Sequence, residues 1–283
     1  VKASSTRSAR LRTALWWLVT LAIGLVVMFP IYWMLMTAVM PIEWMLSTSP
    51  PLLPDFAVFS LAAFRTVFAI HPLLTWIANS LGVGLTSTAL SLIVATLAGY
   101  SLSRWNYKAQ QILGALLLFT KLIPATLIII PLYISFNLLG MLDTYPSLVL
   151  AHMTIGVPLA TWLMKGFFDR VPRELEQAAM IDGCTHLQAL RWVILPLTLP
   201  GLSACTIYLL IVSWSEFIFA RTLMRNDTHL TLTVGLQSFI GEHQVDWAGL
   251  MAASTISLLP VMILFVLLEP FLVSGLTKGA LAN

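Results

Sequence analysis

Two kinds of residue in this chain could do chemistry: ionisable side chains set in apolar surroundings, and one polar segment whose small residues and turn-formers recur at fixed spacing. Lys121 stands roughly ten residues into an uncharged run, about 15 Å deep if that run is a helix, and a lysine there must face a cavity or a partner. Glu216, beside Trp214, is the acid of another apolar run. No intramembrane aspartate accompanies His152, and neither H-E-x-x-H nor G-x-S-x-G occurs, so metal- or serine-dependent catalysis has no constellation to work with. G-x-x-x-x-G-K-[ST] is also missing, so this chain has no backbone cradle for nucleotide phosphates.

The polar segment, 168–198, reads as two short helices around a corner. Pro172 suits a first helical position, and Glu174 and Glu176 fall in the first turn, where acids favour the helix dipole. Leu175, Ala178, Ala179 and Asp182 share a face at three- and four-residue spacing. Gly183 supplies the left-handed conformation that closes the helix, Thr185 and Gln188 are spaced as a capping box for the next one, and Pro196 is expected to stop it. Small Ala178 and Ala179 would let another backbone approach closely. An interfacial helix lying on headgroups is the plainer alternative, but it needs neither the alanines nor the spacing from glycine to proline.

The elements that position these residues follow from composition. The 283 residues carry 15 basic and 12 acidic side chains, 10% charged against 59% hydrophobic, whereas soluble domains are about 25% charged. Such a chain cannot cover its apolar surface in water, which excludes an ordinary soluble enzyme. The basic residues form no stripe or groove pattern, so nucleic acid is not an expected partner; the lipid bilayer is. Cys184 and Cys205 are expected as free thiols, being too few and too irregularly placed for a disulfide framework or zinc site.

A bilayer core of about 30 Å needs about 20 apolar helical residues, and six windows qualify. They predict an all-α membrane protein, one domain over 1–283, with helices near 14–39, 75–102, 111–135, 146–167, 199–222 and 247–272. The first window exceeds a signal-peptide core and reads as an uncleaved anchor. With the N-terminus inside, eleven basic residues (Lys2, Arg7, Arg10, Arg12, Arg104, Lys108, Lys165, Arg170, Arg173, Arg191 and Lys278) face the cytoplasm and three (Arg65, Arg221 and Arg225) face out. That asymmetry places both termini in the cytoplasm, leaving 40–74 and 223–246 as the extracytoplasmic segments.

Gln177-Ala178-Ala179, three residues, Gly183, nine residues, Val193, one residue, Leu195-Pro196 resembles the cytoplasmic signature loop of permeases in binding-protein-dependent ABC importers. Gln177 departs from the usual Glu, which puts in doubt any ion pair the family makes there, and Val193 departs conservatively from Ile. Asn79-Ser80, Leu-Ile-Pro124, Ile-Pro-Leu132, Leu-Gly-Met-Leu-Asp-Thr144, Trp214-Ser-Glu-Phe217 and the tail Gly275-Leu-Thr-Lys-Gly-Ala280 look like the carbohydrate-uptake branch, similar to the second permease of maltose-type importers.

The resemblance implies the ABC importer permease fold in a prokaryotic cytoplasmic membrane. It implies a homologous permease subunit, two copies of a cytoplasmic ATPase that hold the ATP and magnesium, and an extracytoplasmic solute-binding protein. This chain would itself carry no cofactor or metal and catalyse no covalent step. Glu176, Gln177, Ala178, Ala179, Asp182, Gly183, Val193, Leu195 and Pro196 become the ATPase-coupling candidates. Asn79, Lys121, Trp214 and Glu216 become candidates for the translocation path. Lys121 could instead pair with the partner permease, Glu216 could lie near the outer headgroups, and Trp214 could pack in the core. The solute would be a sugar or related polyhydroxylated molecule, with glycerol phosphodiesters as the alternative. An ion-coupled carrier would need broken helices in repeated halves, and an enzyme on lipid-linked sugars would use Lys121 and Glu216; neither explains the loop.

Overall fold

The computed structural model describes the backbone from Lys2 to Ala280 and the side chains of residues 12–270. The side chains of Lys2, Arg7, Arg10 and the tail motif Gly275–Ala280, Lys278 included, lie outside the described residues. Among the described residues every regular element is helical, apart from one isolated bridge between Ile240 and Val245. The chain divides into two compact units, 1–71 with 239–256 and 72–238 with 257–283.

The first unit holds α1 (Lys2–Val39), α2 (Ile42–Met45) and α3 (Ala62–Ile70). Met36, Met40 and Met45 are buried against Tyr32, Trp33 and Val58, flexible side chains that fill an irregular gap. The prolines at 50, 51 and 54 keep the segment between α2 and α3 from continuing as helix; it is tied down by Tyr32, whose hydroxyl donates to the Leu52 carbonyl at 2.5 Å.

The second unit is built on α4 (Leu73–Arg104), which packs along α7 (Tyr145–Phe168) and α11 (Leu199–Trp214). Small polar residues of α4, among them Ser80, Ser87, Thr88, Ser91 and Thr96, are buried, the pattern by which helices approach closely in lipid, where burial of apolar surface no longer drives association. At Gly99 a Cβ would stand 2.9 Å from the Thr161 carbonyl and the Lys165 nitrogen, so the α4 and α7 backbones meet there.

Two of the six expected spans are broken. The window expected as one helix, 111–135, is α5 (Lys108–Phe119), a tight turn at Thr120–Leu122, and α6 (Ala125–Leu138), bent by 105°. Pro124 removes a backbone donor and holds Ile123 extended, at φ −84° and ψ 120°. The fifth window, expected as 199–222, ends as α11 at Trp214 and resumes as α12 (Ile218–Leu223). Four helices, Arg12–Val39, Leu73–Arg104, Tyr145–Phe168 and Trp247–Pro270, are long and apolar enough to cross a membrane, and six spans result when each bent pair counts once. The all-α membrane class read from the sequence therefore holds, with four to six spans by length and composition.

The polar loop contains α8 (Arg173–Ile181), α9 (His186–Ala189), a wide π-type turn at Leu190–Ile194 and α10 (Leu195–Leu197). Pro196 does not stop the chain: it lies within α10, and the 83° bend into α11 comes at Thr198, whose hydroxyl and amide both donate to Ile194 and Leu195 carbonyls. The remaining helices are α13 (Leu232–Leu236) and α14 (Trp247–Ala280), which runs through Pro260 and Pro270.

Candidate functional site

The elbow forms as its residues dictate. Gly183 takes φ +93°, the Cys184 amide donates to the Ala179 carbonyl at 3.0 Å and the Gly183 amide to the Met180 carbonyl at 3.1 Å, the paired closure of a Schellman motif. Thr185 Oγ1 accepts from the Gln188 amide at 3.3 Å, and Gln188 Oε1 accepts from the Thr185 amide at 2.7 Å, completing the capping box. A Cβ at Gly183 would meet no atom within 4 Å, so the outer side of the elbow is open.

The α8 face divides differently from the expected one. Leu175, Gln177, Ala178, Asp182 and Gly183 are exposed, whereas Glu176 and Ala179 turn inward. Of the two alanines expected to admit a second backbone, only Ala178 is available; Ala179 is 8% exposed and lies under the helix. Val193 and Leu195 pack on a core of Tyr100, Met164, Phe168, Val171, Leu190, Ile194 and Cys205, while Pro196 stays at the surface. The loop is thus seated on the ends of α4, α7 and α11 and presents one open edge.

Glu176 does not serve the helix dipole. Its Oε2 lies 2.7 Å from Arg104 Nε, with the side chains 7% and 6% exposed, and its Oε1 accepts from the Tyr100 hydroxyl and faces His186 Nδ1 at 3.3 Å. Arg104 also donates to the Val171 carbonyl at 3.2 Å, and Arg173 to the Ser103 carbonyl at 2.9 Å.

The candidates within the spans occupy separate places. Asn79 is fully bonded: its amide nitrogen donates to the Thr228 and Leu230 carbonyls at 2.9 and 2.8 Å, and its oxygen accepts from the Tyr145 hydroxyl at 2.8 Å. Lys121 sits at the break of the third span, where its ammonium donates to the Ile155 carbonyl and lies 3.5 Å from the Tyr208 hydroxyl. Ile155 is next to Thr154, whose carbonyl Pro158 leaves without its helical donor. Trp214 lines an apolar hollow of about 130 Å³ with Gly84, Ile211, Val261, Leu264 and Phe265, an environment for packing. Glu216 is buried and accepts from the Phe219 and Ala220 amides at 2.7 and 3.0 Å, opening α12.

Residues 87–278 match the family described as binding-protein-dependent transport system inner membrane component. The chain belongs to that family. This permease is 34% identical over 254 residues, 90% of its own length and 88% of the relative's, to the sulfoquinovosyl glycerol transport system permease protein of Agrobacterium fabrum. It is 36% identical over 222 residues, 78% of its length and 80% of the relative's, to the maltodextrin transport system permease protein of Bacillus subtilis. Its fold matches a chain of a bacterial ABC transporter involved in import of the acidic polysaccharide alginate with a TM-score of 0.79, covering 93% of this chain and 97% of that one at 22% identity.

Three relationships carry no sequence signal. Arg104, in sequence a topological charge, pairs with Glu176, which also accepts from Tyr100. His152, which no intramembrane aspartate accompanies, faces the acid Glu216, and Ser213 Oγ lies 2.6 Å from His152 Nδ1. Both Glu216 oxygens cap α12, and Ser213 is buried and contacts Ser87 at 3.3 Å, so the Ser-His-Glu grouping is built into the helix packing. Asp143, part of the motif Leu-Gly-Met-Leu-Asp-Thr144, is the third. It stands at φ +58° and accepts from the Arg225 and Asn226 amides at 2.9 and 3.1 Å, with His229 Nδ1 at 3.2 Å. No local pattern marks such partners, because each pair is separated by more than 60 residues.

Proposed function

We propose that this permease moves a carbohydrate or a related polyhydroxylated solute, glycosyl glycerols included, by alternating access. A homologous permease, two copies of a cytoplasmic ATPase and an extracytoplasmic binding protein would complete the importer. The observation that carries the reading is the elbow: Gln177, Ala178, Asp182 and Gly183 form an open edge, while the opposite face of the same loop is buried against three spans. An edge of that kind can receive a push from a partner and pass it to the bilayer helices. ATP and magnesium belong to that partner, and the permease makes and breaks no covalent bond.

The solute class is supported by the relatives, whose names specify a maltodextrin and a sulfoquinovosyl glycerol. Both termini lie in the cytoplasm of a prokaryotic inner membrane, a placement supported by the eleven-to-three basic asymmetry. Lys121, at the break in the third span, is the path candidate. Asn79 and Glu216 hold the outer ends of helices together, and Trp214 packs.

The test is reconstitution. Liposomes containing the whole importer should accumulate labelled maltodextrin or a glycosyl glycerol only when ATP is inside and binding protein is outside. Uptake without either, or driven by an ion gradient alone, would contradict the proposal.

A further inference from the structure

We propose that Glu176, Arg104 and Tyr100 form a pin that makes α8 and α4 move as one body, so that the push on the elbow is delivered to the central span directly. The inference rests on α8 being the element that docks on the ATPase. Chain connectivity already joins the loop to α7, through 169–172, and to α11, through α9 and α10. It does not join the loop to α4, which meets α8 72 residues after its own end at Arg104, counting from 104 to 176.

The geometry supplies that missing link. Glu176 is the inward acid of α8: its Oε2 is ion-paired with Arg104 at 2.7 Å and its Oε1 accepts from the Tyr100 hydroxyl, and both partners come from the last turns of α4. The Arg104 fork also holds the Val171 carbonyl just ahead of α8, and Arg173 reaches back to the Ser103 carbonyl, so bonds cross the junction in both directions. Tyr100 is clamped edge-on by Trp105 and Phe168, with ring centroids 5.4 and 5.9 Å away. A carboxylate and a guanidinium this far from water cannot separate without leaving two unpaired buried charges, and breaking such a pair from one side is strongly destabilising. The pair therefore resists sliding of α8 along α4. It contributes nothing to the exposed edge, since Glu176 faces away from it.

The experiment uses the complete importer in liposomes and reads solute taken up per ATP hydrolysed. Glu176→Gln and Arg104→Met should still co-isolate the ATPase and still hydrolyse ATP on addition of binding protein, but move roughly tenfold fewer solute molecules per ATP. The double variant Glu176→Met with Arg104→Met, which replaces the pair with apolar chains of similar length, should recover most of that ratio. An unchanged ratio in the single variants overturns the proposal. So does a parallel loss of ATPase binding and hydrolysis, which would make the pair an ordinary packing contact. If Glu176→Gln does not insert, Tyr100→Phe carries the test: about a twofold fall in the ratio is expected from the loss of one bond, and the wild-type ratio contradicts it. Gly183→Asp is the separate control, because wild-type ATPase binding in that variant removes the docking reading whatever the pair does.

Discussion

His152 Nε2 lies 3.4 Å from Glu216 Oε2, with the two side chains 4% and 8% exposed, so α7 and the turn between α11 and α12 meet at a buried acid and imidazole. Because the Glu216 carboxylate also accepts two amides at the start of α12, Glu216→Ala should cost about 1–3 kcal/mol by leaving those donors unpaired. Glu216→Gln retains one oxygen acceptor and should cost less. Thermal unfolding of the purified complex measures both, and an alanine variant that melts with the wild type would contradict the capping role.

Outside the membrane, the Arg225 amide holds the Asp143 carboxyl below the usual carboxylate range; partial desolvation opposes the shift, while the Asn226 amide and His229 add to it. A folded-state pKa lowered in this way contributes stability that is present above the unfolded value, near 4, and is lost as pH falls through the folded one. Asp143→Asn should therefore melt below the wild type at pH 7, with the difference shrinking as pH falls below the unfolded value of about 4. A gap of constant size across that range would mean that the charge is not what holds the 223–229 turn.

The elbow was legible in the sequence because each of its devices is local: Gly183 ends α8 and Thr185 opens α9 by contacts within six residues. The spanning helices were legible through their unbroken apolar runs, and four of them cross without a break. What the sequence hid was direction. Glu176 has the position of a dipole-facing acid and Ala179 that of an exposed small residue, and only the distant Arg104 and the core beneath the loop turn both inward. The breaks at Pro124 and Ser215 were hidden by hydrophobicity, which measures how long an apolar run is and says nothing of whether its backbone stays helical.

Lys121 donates to a backbone carbonyl at a broken span, and its charge is the property to remove. Lys121→Met keeps length and packing and should lower uptake severalfold while the amount of assembled importer is unchanged. Loss of assembly would place the lysine in the seam with the partner permease, and wild-type uptake with wild-type assembly would contradict a path role.

Topology can be read with two single cysteines in a cysteine-free background. Gln177 and Asp227 are both exposed and can each carry the label. An impermeant thiol reagent should label Gln177→Cys only from the cytoplasmic side and Asp227→Cys only from the opposite one. Labelling of both from one side would overturn the six-span arrangement.

Gly183 tests the coupling elbow most directly. At φ +93° a non-glycine residue costs roughly 1 kcal/mol, too little to unfold the bundle, and the open space around the position admits a larger side chain without collision in this subunit. Under the proposed coupling role, a loss of ATPase binding in this variant reports on the elbow and its contact with the ATPase rather than on unfolding of this subunit. The decisive measurement is the amount of ATPase that co-isolates with Gly183→Asp relative to wild type, at equal amounts of the inserted permease pair. At least a severalfold loss of bound ATPase is expected, with ATP-driven uptake falling in step; wild-type ATPase binding and wild-type uptake would contradict the coupling role of the elbow.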